Sequence, residues 1–186
     1  MYYFWKIYFK LTGWKLREPF PSGLHQAVLA VGPHTSWQDF IIGVAARSLI
    51  RIGPIHFLGK KELFDGPFGW LFRALGGTPV DRFSNKGMVD QVAELFSKDP
   101  NFKIALAPEG TRKKVEKLRS GFYHIAQKAG VPIVLVGFDF KTKQVCFSQP
   151  LYPSNEEKDM KTILRFFAGI TGKYPEKGLQ KLEARS

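Results

Sequence analysis

The stretch from Ala27 to Asp39, AVLAVGPHTSWQD, places an uninterrupted apolar run directly before a short polar turn and the start of a helical pattern. A short apolar run bounded by a turn is typical of a strand that is buried on both faces of a sheet. From Trp37 onward the apolar residues recur at helical spacing, and Thr35 or Ser36 could cap that helix. A buried strand that leads at once into a helix indicates an α/β fold.

The same alternation of strand and helix continues along the chain. The segments with strand-like composition are IHFLGK, TPVDR, FKIALAP, VPIVLVGFDF and KQVCFSQP. The segments with helical spacing are PFGWLFRALGG, residues 85–98, FYHIAQKAG before Gly130, and EEKDMKTILRFFAGI. We therefore predict an α/β fold with a mixed, largely parallel central sheet covered by helices, and a site at the carboxyl ends of its strands.

Composition and charge restrict the possible partners. With 186 residues, 44% of them hydrophobic and 15% aromatic, the chain is long and apolar enough for one domain with a core, which excludes a disordered protein. Lys and Arg number 28 against 16 Asp and Glu, so the net charge of +12 favours an anionic partner. Nucleic acid, an anionic membrane face and phosphorylated substrates all fit that charge.

Cysteine and histidine usage indicates neither a disulfide nor a metal site. Cys146 is the single cysteine and lies in a strand-like run, which favours a buried structural thiol. His25, His56 and His124 lack the spacing of metal ligands, so no metal is expected. The sequence contains no apolar run long enough to span a bilayer and no signal-peptide pattern at its start, so a cytoplasmic location is expected.

The N-terminal segment, MYYFWKIYFKLTGWKLREPFP, combines many aromatic residues with a basic edge. As a helix it would place Lys6, Lys10 and Arg17 within a narrow arc and apolar side chains around much of the remainder. Such a helix either packs on its own domain or lies in a membrane interface, and different faces can do both. The predicted organisation is an amphipathic membrane-interface segment over 1–18, a catalytic domain over 19–178 and a loose tail over 179–186.

His34 and Asp39 are the first candidates for chemistry. Five positions on a continuous helix would turn the two side chains about 140° apart, so they meet only if His34 stands in the loop and the chain bends back. A carboxylate on one ring nitrogen would leave the other nitrogen free to take a proton from a hydroxyl. The alternative is a capping histidine and an aspartate placed by the helix dipole.

The sequence shows no motif that would identify a protein nucleophile for such a base. No G-x-S-x-G motif occurs, and Cys146 lies far from His34 in a predicted strand. His34 as a base would therefore activate a substrate hydroxyl for direct transfer, without a covalent enzyme intermediate. If the activated hydroxyl attacks a carbonyl group, the tetrahedral oxyanion that forms would need hydrogen-bond donors. Backbone N–H groups near the start of the helix after His34 are candidates for this role.

A second candidate is the segment FKIALAPEGTR, where Glu109, Gly110, Thr111 and Arg112 follow a buried strand. Glycine permits close approach of the backbone, threonine offers a hydroxyl, and arginine offers a planar fork suited to phosphate. Further basic residues follow in the chain, namely Lys113, Lys114, Lys117 and Arg119. The alternative is a solvated basic loop, as most charge runs are.

Together these motifs resemble the glycerolipid acyltransferase family, most closely the 1-acyl-glycerol-3-phosphate (lysophosphatidate) acyltransferases. The family's His-x4-Asp motif is matched by His34 and Asp39, and its Glu-Gly-Thr-Arg motif is matched in full by Glu109 to Arg112. FLGKKELFDGPFGWLFRALGGTPVDR is similar to a second region of the family, and VPIVLV to its proline-containing apolar strand. The motifs follow the family's order over 32–136.

This resemblance implies a reaction and a role for each residue. His34 would be the general base on the acceptor hydroxyl, Asp39 would orient it, and the hydroxyl would attack an acyl thioester of coenzyme A or acyl carrier protein. The residues implied at the acceptor's phosphate are Arg82 and Arg112, with Lys60 or Lys61 assisting, and Glu109, Gly110 and Thr111 shaping the pocket. The implied enzyme esterifies a lysophospholipid, binds no cofactor, and is peripheral on the anionic inner face of the cell membrane.

Several alternatives stay open at the level of sequence. Pro33 stands where many family members have asparagine, and GGTPVD replaces a bulkier run before Arg82, which leaves another acceptor, such as an amino-acid lipid or a glycolipid, as the nearest alternative. A nucleic-acid-binding protein fits the charge but lacks any binding motif, so no nucleic-acid partner is expected, and an inactive lipid-binding relative would not need the His–Asp pair. The helical spacing of Phe68, Trp70, Phe72 and Leu75 favours core packing over the wall of an acyl tunnel.

Overall fold

Within residues 1–74, 76–80 and 87–183, which the computed structural model describes, seven strands form one sheet. The strands are β1 (Lys15–Leu16), β2 (Ala27–Gly32), β3 (His56–Lys60), β4 (Gly77–Val80), β5 (Lys103–Leu106), β6 (Ile133–Asp139) and β7 (Gln144–Phe147). Their order is β1-β7-β6-β2-β5-β3-β4, and every neighbouring pair is parallel except β6 with β7. The predicted mixed, largely parallel sheet is therefore confirmed.

The described residues contain the helices that the sequence pattern predicts, together with two short helices, Lys61–Asp65 and Gln180–Glu183, that it does not predict. They are α1 (Tyr2–Thr12), α2 (Gln38–Ile50), α3 (Lys61–Asp65), α4 (Gly69–Ala74), α5 (Met88–Lys98), α6 (Gly121–Ala129), α7 (Glu156–Ala168) and α8 (Gln180–Glu183), with a 3₁₀ turn at Pro175–Lys177. Gly130 ends α6 in the left-handed conformation, at φ 66°, which glycine adopts without steric cost. No helix in the described ranges has both the length and the hydropathy of a membrane span.

Both faces of the sheet are covered by helices. This is seen at β2, whose successive side chains point to opposite sides of the sheet. Val28 and Ala30 join a core cluster with residues of α5, α6 and α7, whereas Ala27 and Leu29 join a second cluster with residues of α1 and α2. All four side chains are at most 3% exposed. The central position of β2 brings the loop that follows it to the middle of the sheet's carboxyl edge.

The first helix has one buried and one exposed apolar face. Phe9 of α1 and the following Trp14 are 5% and 8% exposed and belong to the core beside α2. Phe4, Ile7 and Leu11 are 61%, 58% and 81% exposed, and their spacing places them along one side of the helix. The sequence left packing and membrane contact open for this segment, and the structure assigns packing to one face and leaves the other uncovered.

Two predictions about apolar segments are wrong. Leu179 and Leu182 are buried in the larger core cluster, so the described part of the 179–186 segment is packed and is not a loose tail. Phe68 and Trp70 are 64% and 68% exposed instead of lying in the core, whereas Phe72 is half-buried with its ring 6.2 Å from that of Phe64. Leu75 lies outside the described residues.

Candidate active site

The loop between β2 and α2 brings His34 and Asp39 together. Because α2 begins at Gln38, Asp39 lies in its first turn while His34 remains in the loop, after a cis peptide bond between Gly32 and Pro33. The His34 Nδ1 lies 3.1 Å from the Asp39 Oδ2. The bend that the spacing required is therefore present.

Asp39 also organises the loop itself. Its Oδ2 accepts hydrogen bonds from the backbone N–H groups of Thr35 and Ser36, each at 2.9 Å. The side chain is 2% exposed and stands at the positive end of the α2 dipole, which favours its negative charge. Of the two predicted capping residues, Ser36 accepts the Gln38 N–H at 3.2 Å, whereas Thr35 Oγ1 accepts the Tyr174 N–H at 3.3 Å.

The bond to Asp39 determines which nitrogen of His34 is available. With Nδ1–H donating to the carboxylate, the neutral ring leaves Nε2 as a proton acceptor. The side chain is 30% exposed, so a substrate can reach it. His34 does not cap α2, whose cap position is Trp37, so the pair has the geometry of a base and its orienting carboxylate.

Glu109, which follows the neighbouring strand β5, contacts the same loop. Its Oε1 accepts the backbone N–H of His34 at 2.7 Å, and its side chain is 2% exposed. The parallel pairing of Ala30 with Leu106 brings the ends of β2 and β5 side by side, which explains this meeting of distant residues. Burial raises the pKa of the Glu109 carboxyl, opposed by its hydrogen bond with the His34 backbone.

Not all of the predicted phosphate-binding residues meet this pair. The Glu109 carboxylate accepts the His34 backbone N–H, while the following Gly110 has a φ of 63°. Thr111 Oγ1 accepts the Lys113 N–H at 3.2 Å, and Arg112 is exposed. The hydrogen bonds and ion pairs of the described residues include none from either side chain to His34 or Asp39. Arg82 and the side chains of Lys60 and Lys61 lie outside the described residues.

A cavity of about 310 Å³ opens beside His34 and Asp39 and extends under α2. Its lining includes Asp39, Gly43, Arg47 and Ile50 of α2. These positions span twelve residues, or about 16 Å of helix at the usual rise. The opposite wall consists of apolar side chains from the sheet, among them Leu29, Val31, Ala105, Val136 and Phe138. The cavity has the size and the apolar character of a small-molecule site.

The cavity contains residues that were not predicted as part of a site. Among the described residues, His56 and Arg47 are the polar residues that line it besides His34 and Asp39. His56 Nδ1 lies 3.1 Å from Thr78 Oγ1, and burial lowers the pKa of its imidazole, which favours a neutral wall. Gly43 in the middle of α2 was the available sequence signal, since glycine inside a helix is unfavourable unless it makes room.

This arrangement can deprotonate a hydroxyl at the mouth of an apolar cavity. Nothing in the described ranges groups three His, Cys, Asp or Glu side chains as metal ligands. Cys146 is buried in β7, as expected, and burial raises the pKa of its thiol, so it is no rival nucleophile.

Comparison with known proteins agrees with this chemistry. The model of the family described as Acyltransferase matches residues 15–139, which include both motifs. No curated protein matches the sequence. Among solved structures, the fold is similar to the crystal structure of the 1-acyl-sn-glycerophosphate (LPA) acyltransferase PlsC from Thermotoga maritima, with a TM-score of 0.58 and 23% identity, over 100% of this chain and 79% of that chain. Because the family model covers more than half of its length, this chain belongs to the acyltransferase family.

Proposed function

We propose that the protein transfers a fatty acyl group from an acyl thioester to the free hydroxyl of a lysophospholipid, with 1-acyl-glycerol-3-phosphate as the first candidate and phosphatidic acid as its product. One observation carries this proposal: the His34–Asp39 pair stands at the mouth of an apolar cavity with Nε2 of His34 available. The Thermotoga protein with a similar fold acts on LPA, which supports this choice of acceptor.

The residues suggest the order of the proton transfers. His34 Nε2 takes the proton of the acceptor hydroxyl as its oxygen attacks the thioester carbonyl, and Asp39 stabilises the imidazolium that results. The tetrahedral oxyanion then collapses, the carbon–sulfur bond breaks, and the thiolate receives the proton from His34. The products are the ester and the free thiol, and the enzyme returns to its starting state.

Three of the backbone N–H groups near the start of α2 already have acceptors and do not serve as oxyanion donors. The N–H groups of Thr35 and Ser36 already donate to Asp39, and the Gln38 N–H donates to Ser36. These three backbone groups are therefore engaged within the loop. A remaining N–H group at the start of α2, such as that of Trp37, or a side-chain donor would stabilise the oxyanion.

The cavity is suited to the acyl chain of the donor. A chain lying under α2 would replace water against apolar side chains, and the transferred carbonyl would then sit near His34. The donor would be acyl-coenzyme A or acyl carrier protein, and no bound cofactor takes part. Arg112, with Arg82 and Lys60 or Lys61, would bind the acceptor's phosphate, for which guanidinium groups are well suited.

The exposed face of α1 supports a peripheral position on an anionic membrane surface, on the inner face of the cell membrane. Phe4, Ile7 and Leu11 would enter the interface, while Lys6 and Lys10 are exposed and would meet anionic head groups. The net charge of +12 would strengthen this attraction. A substrate that resides in the membrane would thereby reach the site without crossing water.

The proposal is tested by supplying palmitoyl-coenzyme A or palmitoyl carrier protein with a panel of acceptors. The panel contains lysophosphatidate, other lysophospholipids, a lyso-amino-acid lipid and a glycolipid, and thiol release is measured with each. Release that depends on lysophosphatidate is the expected result. Thiol release with the amino-acid lipid or the glycolipid alone would identify that lipid as the acceptor instead. No thiol release with any pair of donor and acceptor would contradict acyl transfer.

A further inference from the structure

The loop that carries the Glu-Gly-Thr-Arg motif closes on itself at Arg119. The chain leaves β5 at Leu106 and reaches α6 at Gly121, and the Arg119 N–H donates to the Pro108 carbonyl at 2.8 Å. This bond joins the returning arm of the loop to the arm that leads into Glu109. Leu118 anchors the returning arm because its side chain is 9% exposed and belongs to the larger core cluster.

The Arg119 side chain lies directly against Gly110. A Cβ atom placed on Gly110 would stand 2.9 Å from Arg119 Nε, 3.0 Å from Cδ and 3.2 Å from Cζ. Gly110 also has a φ of 63°, which glycine adopts at no steric cost. The second residue of the motif therefore leaves room for this guanidinium.

This contact places a guanidinium next to the catalytic loop. Gly110 follows Glu109, whose Oε1 accepts the His34 N–H at 2.7 Å. Arg119 is exposed, and its guanidinium has no carboxylate within salt-bridge distance among the described residues. A planar fork of donors that lies against the motif's glycine and has no described anionic partner is well suited to two oxygens of a phosphate.

We propose that Arg119 binds the phosphate of the acceptor through its guanidinium group. This inference rests on the proposed function and adds to the acceptor site a residue that lies outside the Glu-Gly-Thr-Arg motif. Lys113, Lys114 and Lys117 raise the positive potential of the same loop, but only Arg119 is held against the motif's glycine by a described contact. Arg119 would thus fix the phosphate's position, whereas the lysines would act at longer range.

The test compares Arg119→Gln with Lys117→Gln, which removes the same charge two residues earlier on the same loop. For lysophosphatidate, Arg119→Gln should raise KM about 10- to 100-fold, the effect of losing a charge-assisted hydrogen bond, and change kcat much less. The KM of Arg119→Lys should lie between those of the wild type and Arg119→Gln, because lysine keeps the positive charge but lacks the planar fork of donors. Equal increases in KM in the Arg119→Gln and Lys117→Gln variants would show that only the overall positive charge of the loop matters, and would overturn the inference.

A binding measurement separates this inference from the proposed reaction. Glycerol 3-phosphate carries the acceptor's phosphate without its acyl chain, and its affinity can be measured by NMR titration without any turnover. The wild type and Lys117→Gln should bind it, and Arg119→Gln should bind it at least about 10-fold more weakly. Equal binding by wild type and Arg119→Gln, or no binding by the wild type, would overturn the role of Arg119 whether or not acyl transfer occurs.

Discussion

The Glu109 carboxylate accepts the backbone N–H of His34 at 2.7 Å, so a residue of the Glu-Gly-Thr-Arg motif holds the loop of the His-x4-Asp motif. The two residues are 75 positions apart and meet because β2 and β5 are parallel neighbours. Asp39 holds the same loop from the other side through the Thr35 and Ser36 N–H groups. Two buried carboxylates therefore position His34, of which one contacts its ring and the other its backbone.

Replacement of Glu109 by glutamine should change how stability depends on pH. Burial raises the pKa of this carboxyl in the folded protein above its ordinary value of 4.5. Its contribution to stability is then fully present below pH 4.5 and is lost as the pH rises through the folded pKa. Glutamine keeps an oxygen for the His34 N–H and does not ionise.

The free energy of unfolding of Glu109→Gln, relative to wild type, should thus increase with pH above pH 4.5. Urea unfolding of both proteins at a series of pH values measures this difference. A difference that stays constant across the series would mean that Glu109 does not titrate differently in the folded state.

Asp39→Asn should lower kcat by about 10²- to 10⁴-fold, because an amide cannot stabilise the His34 imidazolium and its NH₂ can impose the wrong tautomer. Asp159 offers a matched control in the first turn of α7. Its Oδ2 accepts the Ser154 and Asn155 N–H groups at 2.9 and 3.0 Å and the Tyr123 hydroxyl at 2.9 Å.

Asp159→Asn should therefore lose stability comparable to that lost by Asp39→Asn and keep its kcat. Steady-state kinetics and thermal unfolding of both variants separate the two effects. A similar fall in kcat in both variants would assign a purely structural role to Asp39.

Gly43 should control the length of acyl chain that the cavity accepts. It lies on the cavity wall, and a Cβ atom there would stand 3.4 Å from Phe138 Cζ, so alanine fits but a larger side chain would project into the space. Gly43→Leu should lower kcat/KM for palmitoyl relative to decanoyl donors by about 10-fold or more, since overpacking costs about 1–3 kcal/mol.

Gly43→Ala is the control, because it stabilises α2 by about 1 kcal/mol and adds little volume. Its preference for chain length should match that of the wild type. An unchanged palmitoyl-to-decanoyl ratio in a folded Gly43→Leu variant would place the acyl chain elsewhere.

The exposed face of α1 should carry the membrane contact. Deletion of the helix would also remove Phe9 from the core, so substitution is the cleaner experiment. The triple variant Phe4→Ser, Ile7→Ser and Leu11→Ser should bind anionic phospholipid vesicles about 10²-fold or more weakly, given the apolar area that each side chain would bury. Sedimentation with vesicles measures the effect.

Met88→Ser combined with Tyr152→Ser removes exposed apolar groups from other parts of the surface and should leave vesicle binding unchanged. Equal binding by the triple variant and the wild type would relocate the membrane contact.

Local patterns in the sequence predicted every described strand except β1, most helices and the His34–Asp39 pair, because a strand, a turn and the first turn of a helix involve neighbouring residues. The two residues of β1 lie in the N-terminal segment that was predicted to be helical. Contacts between distant segments were not predictable in this way. The lining of the cavity under α2 has the same apolar composition as a core, so only the packing of α2 over the sheet distinguishes the two.

Exposure was equally hard to predict. Helical spacing groups Phe68 with Phe72 on a face, but whether another element covers a face depends on the fold, and Phe68 is exposed. The contact of Arg119 with Gly110 depends on how the basic loop returns, which charge patterning does not reveal.

The role of His34 as the base in acyl transfer is tested most directly by comparing the wild type with His34→Ala. Mass spectrometry measures the phosphatidic acid that each protein forms from palmitoyl-coenzyme A and lysophosphatidate. Because His34→Ala also removes the partner of the buried Asp39 carboxylate, thermal unfolding of both proteins is measured to establish that the variant is folded at the assay temperature. Product formation should fall by about 10²- to 10⁴-fold, the contribution of a positioned base. A folded His34→Ala variant that forms product at nearly the wild-type rate would contradict the assignment of His34 as the catalytic base.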